Sequence, residues 1–174
     1  MTGPVPQADA ARPGGGIPVG AVLSTRIGWI EICCDDHAVT QLHWRKTEPK
    51  GMVSSPLAEE ARRQVAAYLH GALTRFALPL SYPGSGFARA VWQMLLRIPH
   101  GETRRYGDLS ALLGNSDGND ARAVGAACGQ NPIAILIPCH RVIGAHALGG
   151  YSSDLGPTAK RFLLDLEKGQ ERLF

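Results

Sequence analysis

The residues best suited to chemistry in this chain are Cys139, His140 and Arg141, set inside the run ILIPCHRVIG at residues 135–144. Sulfur attacks as the thiolate, and a free cysteine is mostly protonated at neutral pH, so such a residue needs help from its surroundings. Ile135, Leu136, Ile137, Val142 and Ile143 read as buried backbone. Pro138 can continue neither a ladder nor a helix, so it breaks the run where the polar residues begin. The three polar residues therefore sit on a turn braced by core on both sides, which is how a scaffold presents a reactive group. A cysteine without context is more often a small buried hydrophobe, so its neighbours must decide. The four cysteines, at 33, 34, 128 and 139, match neither a disulfide framework nor the paired spacing of a zinc site. Reduced thiols are expected, with no metal and no cofactor.

The elements that position these residues can be read along the chain. The first twenty of the 174 residues hold four Pro and five Gly, which predicts a flexible tail over 1–20. No run approaches the roughly 20 apolar residues of a membrane span, and the N-terminus lacks the pattern of a signal peptide, so a cytoplasmic protein with no membrane partner is expected. GAVLSTRIGWIEICCDDHAVTQLHW, broken at DDH, predicts a hairpin with Cys33 and Cys34 on opposite faces of its first strand. SSPLAEEARRQVAAYLHG predicts a helix with Leu57, Ala61, Val65, Ala66 and Leu69 at helical spacing and Gly71 at its end. FALPLSYPGSG reads as an extended passage and linker, which puts a boundary near residue 84. Four helical segments follow, the first with Phe87, Val91, Met94 and Leu95 on one side and Pro99 as its stop. The middle two, joined by GNSDGND, form a helix-turn-helix pattern, with Asn119 or Asp120 capping the second. The expected fold is α+β: a small N-terminal domain over 21–84 with an antiparallel sheet and helix, then a mainly helical domain over 85–174.

Net charge is only +3, divided as +1 over residues 1–85 (eight Lys and Arg, seven Asp and Glu) and +2 over 86–174 (ten and eight). A nucleic-acid partner is permitted, through few phosphate contacts. The second helix of the pair presents Ala121, Ala123, Gly125 and Ala126 with a single Arg122. Base-reading helices carry several long polar side chains; this smooth surface suits close approach to a minor groove without sequence preference.

FARAVWQMLLRIPHGETRRYGDL, ARAVGAACGQNP, PCHRV and GGYSSDLGPTAKRFLLDLEKG together closely resemble the O6-alkylguanine-DNA alkyltransferases, over essentially all of residues 85–170. Residues 21–84 resemble the family's N-terminal domain more loosely. The resemblance implies a monomeric repair protein that binds duplex DNA containing alkylated guanine. It would flip the damaged nucleotide and move the alkyl group onto Cys139 in a single turnover. It implies that His140 acts as the base through a water, that Glu167 orients it, and that Asn131 shapes the preceding turn. Tyr106 would protonate the leaving oxygen, the backbone near Val142 would hold the guanine edge, and Tyr151 with Ser152 would wall the pocket. Arg122 would fill the gap left in the base stack, whereas Arg141 would be structural. Repair of O4-alkylthymine stays open.

Three features depart from the family pattern. The 114–120 loop is about two residues longer than usual and carries Asp117 and Asp120, which should weaken attraction to a phosphate backbone. Arg104 and Arg105 precede Tyr106, where they could supply a phosphate contact. YSSDLG replaces a glycine-rich pocket loop. Other functional classes are a lesion-binding protein that flips bases without repairing them, a cysteine-histidine hydrolase and an operator-binding regulator. The presence of Cys139 argues against the first. The second would need a glycine-rich oxyanion site and the third a base-reading helix face, and the sequence offers neither.

Overall fold

The structure, a computed structural model, describes residues 17–114 and 120–169. Most of the expected tail, and Asp117 and Asn119 of the interhelix loop, lie outside the described residues. Strands β1 (Gly20–Thr25), β2 (Gly28–Cys34) and β3 (Val39–Arg45) form an antiparallel meander in that order. The expected hairpin is therefore three strands, because its first limb folds back at Arg26 and Ile27. There Thr25 Oγ1 donates to the Gly28 carbonyl at 2.7 Å, and Gly28 adopts φ 146°. A Cβ at Gly28 would lie 2.7 Å from the Arg45 carbonyl oxygen, so glycine is needed for the close approach. At the second turn the Asp35 carboxylate accepts from the His37 and Ala38 amides.

Helix α1 (Pro56–Leu69) starts at Ser55, whose hydroxyl accepts from the Ala58 amide at 3.1 Å. Its buried face is Ala58, Ala61, Gln64, Val65, Tyr68 and Leu69, packed on β1 and β2. The following passage runs beside β3, with the Val39 amide bonded to the Pro79 carbonyl and the Ser81 amide to the Val39 carbonyl.

Helix α2 (Gly86–Leu95) buries Ala88, Val91, Trp92 and Leu95. This corrects the expected face: Phe87 is exposed, and the helix stops at Leu95, ahead of Pro99. The larger Trp92 side chain sets the rotation, because its indole N–H donates to the Ala127 carbonyl at 2.9 Å and can be buried without loss. Two-residue strands β4 (Arg104–Arg105) and β5 (Val142–Ile143) pair in parallel. Helices α3 (Tyr106–Leu112) and α4 (Asp120–Gly129) pack on one another, and α4 also packs on α2. Helix α5 (Pro157–Glu167) closes the fold. No helix among the described residues is long and apolar enough to cross a membrane.

Ile30, Leu42, Trp44, Tyr68, Leu95, Ile133 and Leu163 belong to one hydrophobic core that is continuous across residue 84. The backbone contributes as well: the Leu42 amide donates to the Pro132 carbonyl at 2.9 Å and the Ala134 amide to the Leu42 carbonyl at 3.0 Å. The segment leading to Cys139 is thus laid along the edge of β3.

Candidate active site

Between α4 and Cys139 the chain folds around one amide side chain. Asn131 Oδ1 accepts from the Ile133 amide at 3.0 Å. Its Nδ2 donates to the Ile137 carbonyl at 2.8 Å and to Cys139 Sγ at 3.1 Å. Inside this loop Ile135 is held at φ 72°. A β-branched residue in the left-handed region costs on the order of 1–3 kcal/mol. Burial of Ile135, the Ile137 amide bond to the Ile133 carbonyl and the Leu136 amide bond to the Ala134 carbonyl hold it there. The run that reads as buried backbone is buried, and it takes the form of a tight loop. Pro138 ends it, and a single 3-10 turn spans Cys139–Arg141.

Behind Cys139 lies a saturated carboxylate. Glu167 Oε1 accepts from Tyr68 Oη at 2.5 Å, His140 Nε2 at 2.8 Å and Arg141 Nη2 at 2.9 Å. Glu167 Oε2 accepts from the Gly101 amide at 2.9 Å and Arg141 Nε at 3.0 Å. Arg141 Nη1 also donates to the Ile98 carbonyl at 2.6 Å. Burial works against the Glu167 anion, but the bonds from His140, Arg141 and Tyr68 prevail and hold its pKa well below the usual carboxylate range. His140 is wholly buried, and desolvation keeps its basicity below that of an ordinary histidine despite Glu167. With the Tyr68 proton committed to the carboxylate, Nε2 is the protonated ring nitrogen. His140 Nδ1 is left as a bare lone pair, buried and without a protein partner among the described residues.

In front of Cys139 is a cavity of about 510 Å³ lined by Tyr106, Ala121, Gly125, Cys128, Gly129, Cys139, Gly150, Tyr151 and Ser152. Buried Lys160 reaches it from α5, donating to Tyr106 Oη at 3.3 Å and to the Gly150 carbonyl at 3.1 Å. Burial, reinforced by the nearby Cys128 and Cys139, pushes Tyr106 up to about 12, so it keeps its proton. Burial also raises the Cys139 thiol, opposed by the Asn131 bond, the Lys160 charge and the backbone amides of Cys139 and His140. Those opposing groups define where a thiolate is stabilised. Burial likewise pushes Cys128 up to about 12, which leaves it a protonated wall residue.

The structure brings Cys139, His140, Glu167, Asn131 and Tyr106 together, with Tyr151 and Ser152 across the cavity. Of the α4 residues, Ala121 and Gly125 line the cavity, Arg122 and Ala126 are exposed, and Ala123 is half-buried. Val142 is wholly buried outside the lining, and its amide caps the 139–141 turn by donating to the Cys139 carbonyl. Sequence reasoning missed Tyr68, Lys160 and Cys128. A signal for two of them exists in retrospect. Tyr68 follows Ala61 and Val65 at helical spacing, and Lys160, Leu163, Leu164 and Glu167 share one face of α5, which puts two charges on a stripe that should be apolar.

Residues 86–169 match the family described as 6-O-methylguanine DNA methyltransferase, DNA binding domain. The chain is 41% identical over 154 residues to the methylated-DNA–protein-cysteine methyltransferase of Methanosarcina acetivorans, an alignment covering 84% of this chain and 96% of the relative. It is 47% identical over 158 residues to the protein of the same name from Methanosarcina barkeri, covering 87% and 98%. The solved structure of Mycobacterium tuberculosis OGT in complex with DNA superposes with a TM-score of 0.75 at 40% identity, over 87% of this chain and 93% of that one. With a cysteine-centred cavity, a shared fold and identity at this level along nearly the whole length of its relatives, the chain belongs to the methylated-DNA–protein-cysteine methyltransferase family.

Proposed function

We propose that this protein repairs DNA by moving an alkyl group from O6 of guanine onto Cys139, irreversibly and once per molecule. The observation that carries this reading is the position of Cys139 on the wall of the cavity, with Asn131 bonded to its sulfur and the His140–Glu167 pair behind it. The thiol proton passes through a bridging water to His140 Nδ1, the nitrogen left without a partner. Sulfur then attacks the alkyl carbon, the S–C bond forms as the C–O6 bond breaks, and the electron pair of the broken bond leaves on the guanine. Tyr106, still protonated at neutral pH, donates to that oxygen, and Lys160 beside it stabilises both the tyrosine oxygen and the thiolate.

A base inside a duplex cannot reach the cavity, so the nucleotide must be flipped. The small-residue surface of α4 suits approach through the minor groove, with exposed Arg122 occupying the gap in the stack. The protein acts as a monomer on duplex DNA, on alkylated guanine first and with O4-alkylthymine as a second candidate. Its cysteines, none of them in a disulfide among the described residues, suit a reducing cytoplasm. Residues 21–84 serve as the supporting domain, and residues 85–174 carry the DNA-binding surface and the nucleophile. A lesion-binding role without repair is disfavoured because the nucleophile and its relay are both present. Intact-mass measurement after mixing with an oligonucleotide containing O6-methylguanine tests the reading. The expected result is one added methyl group per protein, mapped to Cys139; an unmodified protein, or modification confined to another cysteine, overturns it.

A further inference from the structure

The carboxylate behind His140 has a partner that comes from the other half of the chain. Tyr68 lies at the end of α1, ninety-nine positions before Glu167, and its hydroxyl is buried between Glu167 Oε1 at 2.5 Å and His140 Nε2 at 3.3 Å. Its ring is fixed edge-on to His100 and tilted against Phe76. A phenol has one proton and accepts through its oxygen. Here the proton goes to Glu167, so the oxygen faces the N–H of His140. We infer that Tyr68 is a positioning residue for alkyl transfer: it holds Glu167 and His140 in the arrangement that leaves Nδ1 as the proton acceptor, and so ties the relay to α1. This inference rests on the proposed transfer to Cys139.

The other groups facing this cluster are Arg141 on the turn and Lys160 on α5, with His100 and Tyr151 beside Tyr68. Removing the hydroxyl takes one donor from the carboxylate, leaving its charge less neutralised. Protonated His140 is then favoured, and less of the neutral base is present at a given pH.

Tyr68→Phe in the full chain keeps the ring and deletes the hydroxyl. Single-turnover transfer from a methylated oligonucleotide is expected to slow by roughly tenfold at neutral pH. The acid limb of the rate profile should shift to higher pH, while DNA affinity stays unchanged. In wild-type protein, nitrogen NMR of the His140 ring should show Nε2 protonated and Nδ1 bare. A Tyr68→Phe variant that matches wild type in rate and pH profile overturns the inference, as does a wild-type ring protonated on Nδ1. The NMR result also decides the matter if the variant does not fold. Failure of wild-type protein to acquire an alkyl group at all would instead sink the transfer reading beneath it.

Discussion

Helices α4 and α5 flank the same cysteine and are built on opposite principles. Seven of the eleven residues of α5 are buried, among them Lys160 and Glu167, so two of its four charged groups face inward while Arg161 is exposed and Asp165 half-buried. On α4 the interior takes only Val124, Ala127 and Cys128, while alanines, glycines and one exposed arginine cover the rest of its described surface. An inward charge has to be paired, and each pairing fixes a geometry. A surface of small side chains fixes nothing and lets another molecule come close. On the proposed reading, proton handling belongs with α5 and contact with DNA with α4, and each assignment can be broken separately.

The largest effect should come from the atom between them. Cys139→Ser is expected to abolish alkyl transfer while leaving DNA binding nearly intact, because a hydroxyl is far less acidic than a thiol and the α4 surface is untouched. Mass spectrometry and a gel-shift titration on the same preparation check both halves. Label persisting on Cys33, Cys34 or Cys128 in the variant would show that the nucleophile lies elsewhere.

On the α5 side, Glu167→Ala would strip Arg141, His140 and Tyr68 of their shared acceptor at once. Leaving a buried guanidinium unpaired costs about 3–5 kcal/mol. Denaturant unfolding should register that loss, and whatever folded protein remains should transfer slowly. A loss below about 1 kcal/mol would mean that water reaches Arg141 and that the cluster is less closed than its burial indicates.

The same cluster predicts a pH dependence of stability. His140 is harder to protonate folded than unfolded, so the unfolded chain binds the extra proton and stability falls as pH drops below about 6.5. Glu167 is a stronger acid folded than unfolded, so its contribution is complete above about 4.3 and is lost as pH falls further. Both act in one direction. Melting measured from pH 7.5 to pH 3.5 should show a midpoint that holds above about 6.5 and declines below it, and a flat profile would contradict the buried neutral state of His140.

How far the sequence could be read follows the same division. That Cys139, His140, Asn131 and Glu167 come together was legible because their motif is compact or lies at a family spacing. Tyr68 was not, since nothing local in α1 distinguishes a tyrosine that packs from one that also donates across ninety-nine positions. Arg141 read as structural, and that it bonds both oxygens of the Glu167 carboxylate depends on where α5 ends. The turn at Gly28 was hidden because its cause is the Arg45 carbonyl on another strand. Phe87 was misassigned because the decision between it and Trp92 rests on an acceptor offered by α4. Local pattern gives the elements, whereas contacts between distant elements choose which face turns inward.

On the α4 side, Arg122→Ala should slow transfer from duplex DNA by roughly tenfold, since a flipped base without a substitute in the stack reverts more readily. Reaction with free O6-methylguanine should be unaffected. Comparable losses with both substrates would move Arg122 from DNA contact into the chemistry.

The smallest effect concerns the protein after it has reacted. A methyl group on Cys139 can point into the cavity of about 510 Å³, which relieves the crowding that usually makes an added methyl costly. It strains the bond from Asn131, because the methyl must be seated on the same sulfur that Nδ2 contacts at 3.1 Å. Losing that bond should cost about 0.5–1.5 kcal/mol. For a chain of this size each kcal/mol lowers the melting midpoint by about 2–4 °C. Asn131 also clips the loop from Ile133 to Ile137, which lies along β3 and holds Ile135 in its strained conformation. The loosening should therefore begin in that loop and pass to the adjoining end of α4, weakening the grip on repaired DNA. Side-by-side melting and hydrogen exchange of the two forms decide the point: the alkylated form should melt a few degrees lower, with faster exchange across residues 131–139, and an equal or higher midpoint would show that Asn131 serves the reaction without holding the fold.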